Sequence, residues 1–128
     1  MDRVEFLKKL FDYLNQQIRY ALLRNFEGLP EQNDSRDIDI AIAHKDYLRH
    51  RGELVRLVEE VGWKIVTYLN SDRLVTWVCG AISNRGTIDL VQLDFFFHTS
   101  VYGLMLIENN DLLEHRLFNG KFYHVDVT

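Results

Sequence analysis

The sequence predicts an α+β domain, in which a mixed β-sheet carries helices packed mainly on one face. Segments with helical spacing and segments with strand-like alternation follow one another in the order α, β, β, α, then three or more strands, then α and β. The chain has 128 residues, of which 47% are hydrophobic. A chain of this size and composition can bury a sizeable core, so we expect one domain spanning residues 1–128.

Apolar spacing predicts three helices. The first has Asp2 as its N-cap, and its apolar residues are spaced three and four apart: Val4, Leu7, Phe11, Leu14 and Ile18. The second spans residues 45–61 and ends at Gly62, because glycine readily adopts the backbone conformation that ends a helix. Its apolar positions are Tyr47, Leu48, Leu54, Val55, Val58 and Val61. The third is short, at about residues 110–117.

Strands are predicted where β-branched and aromatic residues cluster or alternate with polar ones. They cover residues 18–25, 37–43, 63–69, 74–82, 87–97 and 121–127. The segments 70–73 and 83–86 read as turns, so the strands at 63–69 and 74–82 form a hairpin. Trp63, Trp77 and residues 95–97 are predicted to be core, and the phenylalanines would mark an oligomer interface if the second sheet face were uncovered.

The stretch SRDIDIAI, residues 35–42, places two aspartates inside a strand. Ile38 and Ile40 point to one face, while Asp37 and Asp39 point to the other, about 6–7 Å apart. At an effective dielectric near 20, two such charges repel by roughly 2–3 kcal/mol. A divalent cation would remove this cost, and Mg²⁺ prefers carboxylate oxygens. The alternative is an exposed strand face on which Arg36 pairs with one of the acids.

Several stretches together resemble the nucleotidyltransferase-fold superfamily, which includes DNA polymerase β and the minimal nucleotidyltransferases. They are YALLRNFEGLP followed by DIDIAI, then VQLDFF, VYGLMLI and FNGKFYHVD. The superfamily hallmark is a strand bearing Asp-x-Asp, then a helix and a third carboxylate on a later strand. More narrowly, the chain looks like a bacterial subfamily with a Leu-Arg-Asn segment before Asp-x-Asp. The resemblance covers nearly the whole chain from residue 18 onward.

Two acids on the long strand are candidates for the third carboxylate. Asp89 and Asp94 are five residues apart and therefore point to opposite faces, roughly 16 Å apart along the strand. Asp94 lies among apolar residues, where an unpaired carboxylate is costly, whereas Asp89 lies near a turn that water can reach. The resemblance also places the third carboxylate within LDFF. Both considerations favour Asp94.

The resemblance implies a metal-dependent nucleotidyltransferase that moves a nucleoside monophosphate from a nucleoside triphosphate to an acceptor hydroxyl. Asp37 and Asp39 would bind Mg²⁺ against the phosphates, and Asp94 would help to hold a second metal ion and activate the acceptor, an arrangement known as two-metal catalysis. Superfamily enzymes usually carry a Gly-Ser pair that contacts the triphosphate, and this chain has LLRNFEG at that place.

The missing Gly-Ser pair leaves the phosphate contacts and the activity open. Arg24 and Asn25 are the candidate phosphate ligands, and Arg36 is a weaker one. The other interpretation of Arg24 is a strand-end residue that is solvated or paired with an acid. The alternative function is a noncatalytic nucleotide-binding or regulatory module. The chain leaves no room for a helical domain that would hold base and acceptor. We therefore expect a minimal enzyme, a site completed by a homo-oligomer or partner domain, or a chain that is part of something longer.

Composition excludes several other classes. The 15 Lys+Arg and 19 Asp+Glu give a net charge of −4, and the basic residues are scattered, which disfavours nucleic-acid binding. Cys79 is the one cysteine, so neither an intrachain disulfide nor a cysteine-based zinc site is expected. No apolar stretch approaches the roughly 20 residues of a membrane span, and the N-terminus lacks a signal-peptide core. We therefore expect a cytoplasmic protein without a membrane partner.

Overall fold

The computed structural model describes residues 2–32, 37–71, 74–101 and 105–126, with the backbone alone at 99–101 and 105–111. Arg36 and half of the turn predicted at 70–73 lie outside the described residues. The elements occur in the order α1, β1, β2, α2, β3 to β7, α3, β8 and β9. This order matches the alternation that the sequence predicts.

Helix α1, Arg3–Gln17, begins as predicted. The Asp2 side chain accepts a hydrogen bond from the Glu5 backbone N–H at 2.9 Å, which satisfies one of the donors left unpaired at a helix start. Its buried face is wider than the predicted stripe, because Phe6 and Leu10 are also fully buried. This width indicates that α1 lies deep against the sheet.

Helix α2, His44–Glu60, ends at the predicted glycine. Gly62 adopts φ +85°, and its N–H bonds the carbonyl of Glu59 while the Trp63 N–H bonds the carbonyl of Val58. These two bonds form a Schellman motif, for which glycine is favoured because it has no Cβ. The prediction was wrong at Leu48, which is 46% exposed, since it faces solvent one position beyond the buried Tyr47.

The sheet positions the site. Its strands are β1 (Tyr20–Leu22), β2 (Asp37–Ile42), β3 (Lys64–Asn70), β4 (Leu74–Ile82), β5 (Ile88–Phe96), β8 (Leu117–Phe118) and β9 (Tyr123–His124). They form one seven-stranded sheet in the order β3-β4-β5-β2-β1-β9-β8. The β2–β5 and β1–β9 pairs are parallel and the other pairs are antiparallel, so the sheet is mixed and the predicted α+β class is confirmed.

The last third of the chain differs in detail from the prediction. Strands β6 (His98–Val101) and β7 (Met105–Glu108) pair as a separate antiparallel ribbon. Helix α3, Asn109–Glu114, is shorter than predicted, because Leu117 belongs to β8. Strands β1 and β9 contain only three and two residues of the longer predicted runs. In β1 and β9, residues with high strand propensity continue beyond the few positions that pair with a neighbouring strand.

The two faces of the sheet are covered unequally. Ile38, Ile40 and Ile42 point into the main core, which also contains the apolar faces of α1 and α2. On the opposite face, Ala41 packs in a small cluster with Leu113 of α3. Of the helices in the described residues, α1 and α2 therefore lie on one face and α3 lies on the other. We call the other face, which carries Ala41 and the odd-numbered side chains of β2, the open face.

The predicted core tryptophans are buried as expected. Trp63 stacks on Phe6 with ring centroids 4.7 Å apart, and Trp77 contacts Phe95 edge-on at 5.1 Å. Phe95 and Phe97 are also buried, whereas Phe96 is partly exposed on the open face. Most of the phenylalanine run thus belongs to the core.

Candidate functional site

Two buried carboxylates lie side by side on the open face. Strands β2 and β5 are parallel neighbours, and their register pairs Asp39 with Asp94 and Asp37 with Gln92. Each of Asp39 and Asp94 is only 7% exposed. Paired positions on adjacent strands lie about 5 Å apart, so the register alone brings two negative groups together at the centre of the sheet.

Asp94 is held by two neutral side chains. Thr76 of β4, which is paired with Asp94 across the sheet, donates its hydroxyl to Oδ1 at 2.7 Å. Gln92, two residues earlier on the same face of β5, donates Nε2 to both carboxylate oxygens at 3.1 Å. These three hydrogen bonds form a cradle that fixes the orientation of the Asp94 carboxylate, since both of its oxygens accept them.

Asp39 has a charged partner. The Arg24 Nε lies 2.7 Å from Oδ2 of Asp39, and the Arg24 guanidinium carbon lies 5.9 Å from the centroid of the Phe96 ring. Arg24 lies two residues after the end of β1, and the N–H of the adjacent Leu23 donates to the Asp39 carbonyl at 2.9 Å. That backbone bond fixes the chain next to Asp39, and the guanidinium reaches the carboxylate from the solvent side.

The negative charge of Asp94 makes it harder for the neighbouring Asp39 to ionise. Burial raises the pKa of Asp39 to about 6, the positive charge of Arg24 opposes this shift, and a hydrogen bond and like charge from Asp94 add to it. The charge of Asp37 contributes in the same direction. At a pH near 6, Asp39 is therefore divided between its protonated and ionised forms, and a bound cation would favour the ionised form.

The remaining predicted site residues fall in different places. Asp37 begins β2 on the same face as Asp39 and is partly exposed. Asn25 is exposed, with φ 54°, a left-handed conformation that asparagine tolerates better than most residues. Asp89 points to the helical face and pairs with Arg3 of α1, so it does not face Asp94. Its side chain is 36% exposed, near the β4–β5 turn.

The donor set fits a hard cation, but only with other ligands added. Among the described residues, no group of three or more His, Cys, Asp or Glu side chains is arranged to hold a metal ion. Mg²⁺ is commonly bound by one or two carboxylates together with substrate phosphates, and seldom by an all-protein cage. Asp39 and Asp94 provide such a carboxylate pair, and Asp37 lies one step along the same strand face.

Sequence reasoning missed Thr76 and Gln92. The sequence does mark both residues as unusual. Thr76 is a polar residue within the apolar run LVTWV, and Gln92 lies on the same strand face as Asp94. Neither signal identifies a partner, because the contact of Thr76 depends on how β4 registers against β5.

Within the part of the chain that the structure describes, no helix is long and apolar enough to cross a membrane.

The chain was compared with family models, curated proteins and solved structures. No family model, no curated protein and no solved structure matches the chain.

Proposed function

We propose that this chain is a metal-dependent nucleotidyltransferase with a nucleotidyltransferase fold. The observation that carries the proposal is the buried pair of Asp39 and Asp94, in register on adjacent parallel strands of the open face. Structural stability alone gives little reason to bury two carboxylates in contact, because their repulsion and desolvation both oppose folding. A site that binds a cation and phosphates gives the pair a function.

The side chains of the site suit the steps of such a transfer. Asp39 and Asp94, with Asp37 beside them, would hold Mg²⁺, which when bound neutralises charge on the phosphates and the leaving group. Asp94, fixed by Thr76 and Gln92, takes the proton of the acceptor hydroxyl as the acceptor oxygen bonds to the α-phosphorus. The bond from the α-phosphorus to the bridging oxygen breaks, and pyrophosphate leaves.

Arg24 is the best placed phosphate ligand of this proposal. Its guanidinium lies at the solvent side of the carboxylate pair, and guanidinium groups bind phosphate with two parallel hydrogen bonds. Asn25, exposed and adjacent, can add an amide donor. Together they would take the place of the Gly-Ser contact of the superfamily.

Calorimetry with Mg²⁺ and a nonhydrolysable nucleoside triphosphate tests the proposal. We expect saturable binding to the wild type and at least about tenfold weaker binding to Asp39→Asn, since the substitution removes a carboxylate ligand from the site. Asp12→Asn, an exposed acid on α1, is the matched control and should bind as the wild type does. Equal heats for the wild type and Asp39→Asn would remove the metal site from the proposal.

A second candidate, a noncatalytic nucleotide-binding module, is favoured by one observation. An arginine contacts the Asp39–Asp94 pair, and among the described residues no group of three or more His, Cys, Asp or Glu side chains is arranged to hold a metal ion. Such a site binds phosphate as readily as it binds metal. Release of pyrophosphate distinguishes the two functions: the enzyme releases it from at least one nucleoside triphosphate when a hydroxyl acceptor is supplied, and the module releases none.

Removal of the Thr76 hydroxyl tests the cradle of Asp94. We expect Thr76→Val to weaken Mg²⁺-triphosphate binding about tenfold, because groups that orient metal ligands commonly contribute 10–100-fold to affinity. Thr76→Ser, which keeps the hydroxyl, should retain most of the affinity. Thr67→Val, an exposed threonine on β3, is the control for loss of a hydroxyl from the same sheet. If Thr76→Val and Thr67→Val bind equally well, the cradle does not orient Asp94.

A further inference from the structure

Arg24 forms an ion pair with the Asp39 carboxylate, which is also a ligand that a bound cation would need. Its Nε is 2.7 Å from Oδ2 of Asp39, close enough for a charge-assisted hydrogen bond. The side chain of Arg24 is 61% exposed, whereas that of Asp39 is 9% exposed. The arginine therefore approaches a buried acid from solvent, and it can leave the acid without disturbing the core.

Arg24 and a bound cation compete for the negative charge of Asp39. The guanidinium supplies one positive charge to the Asp39–Asp94 pair, which relieves part of the repulsion that a divalent cation would otherwise relieve. A cation placed against Oδ2 would also face the positive charge of Arg24 at short range. Arg24 in this position therefore lowers the affinity of the empty pair for free cations.

We infer that Arg24 exchanges partners during substrate binding, leaving Asp39 for a phosphate of the incoming nucleotide and thereby freeing Oδ2 for the cation. The inference rests on the proposed function. An exposed arginine is suited to the exchange, because the guanidinium fork matches both carboxylate and phosphate with two parallel hydrogen bonds. By linkage, triphosphate and cation then increase each other's affinity by the same factor. The site takes up the cation chiefly together with its nucleotide.

The test measures Mg²⁺ alone, inorganic triphosphate alone, and both together, by calorimetry on the wild type and Arg24→Gln. We expect Arg24→Gln to bind Mg²⁺ alone about 30-fold more tightly, the factor that one unit charge about 4 Å from a divalent cation gives in a water-like dielectric. The same variant should bind triphosphate alone more weakly, and the mutual enhancement should disappear. Arg56→Gln, which removes an arginine of similar exposure from a pair with Glu53 on α2, should change none of the three.

The outcomes separate the exchange from the function on which it rests. If Arg24→Gln binds Mg²⁺ alone as weakly as the wild type or more weakly, while the wild type still binds Mg²⁺-triphosphate through Asp39, the exchange is wrong and the proposed function stands. If the wild type binds neither Mg²⁺ nor triphosphate, both are wrong. Arg24→Lys adds a check on geometry, since it keeps the charge and should preserve weak binding of free Mg²⁺.

Discussion

Replacing Asp94 with asparagine is expected to slow nucleotidyl transfer at least about 100-fold, the usual contribution of a positioned general base. The amide cannot accept the acceptor proton, and it carries no charge to hold a cation. It does keep the shape of the side chain and an oxygen that can accept the Thr76 hydroxyl. We therefore expect the loss to appear in the rate of the chemical step, measured in a single turnover with labelled nucleoside triphosphate.

The control for this prediction lies on the same strand. Asp89→Asn changes the same residue type on β5, but that side chain faces α1 and pairs with Arg3. It should leave the single-turnover rate within about twofold of the wild type, although thermal stability falls slightly with the loss of an ion pair. Equal loss of rate in Asp94→Asn and Asp89→Asn would mean that the effect comes from disturbance of β5 and not from chemistry at Asp94.

Asp39→Asn is expected to make the protein more stable at pH 7.5, even though it removes a proposed ligand. In the native state the pKa of Asp39 is about 6, above the value of about 4 in an unfolded chain. The native state therefore holds a proton that the unfolded state has lost, and the free energy of unfolding of the wild type falls as pH rises from about 4 to about 6. Asparagine does not ionise and avoids this loss, which is at most about 3 kcal/mol.

Chemical denaturation at two pH values measures this effect. At pH 7.5 Asp39→Asn should have the higher free energy of unfolding, whereas at pH 4 the difference should largely vanish, because wild-type Asp39 is then protonated. Asp12→Asn, on the exposed side of α1, should change the free energy of unfolding at pH 7.5 by no more than about 0.5 kcal/mol, as is usual for surface substitutions. A difference that is the same at both pH values, or a less stable Asp39→Asn at pH 7.5, would contradict the native pKa on which the prediction depends.

Much of the architecture follows from local pattern. The alternation in DIDIAI assigns the isoleucines to the core and the aspartates to the other face, and Asp2 and Gly62 mark where helices begin and end. These features depend on residues within a few positions of one another. They could therefore be predicted before any long-range contact is known.

The contacts that define the site could not be predicted in the same way. The pairing of Asp39 with Asp94 depends on how β2 registers against β5, and the bond from Thr76 depends on the register of β4. A slip of one residue would turn each of these side chains to the opposite face. Arg24 was interpreted either as a phosphate ligand or as a strand-end residue that is solvated or paired with an acid. The sequence LLRN does not distinguish these roles, and the structure shows the ion pair with Asp39.

The parallel pairing of β2 and β5 makes the site a reporter of complete folding. Asp39 and Asp94 are 55 residues apart in the sequence, and α2, β3 and β4 lie between them. Closing so long a segment has an entropic cost that only the finished sheet offsets, so such contacts form late. Partly folded chains would thus lack the paired acids. Binding of a cation would then measure the fraction of molecules in which the whole sheet has formed.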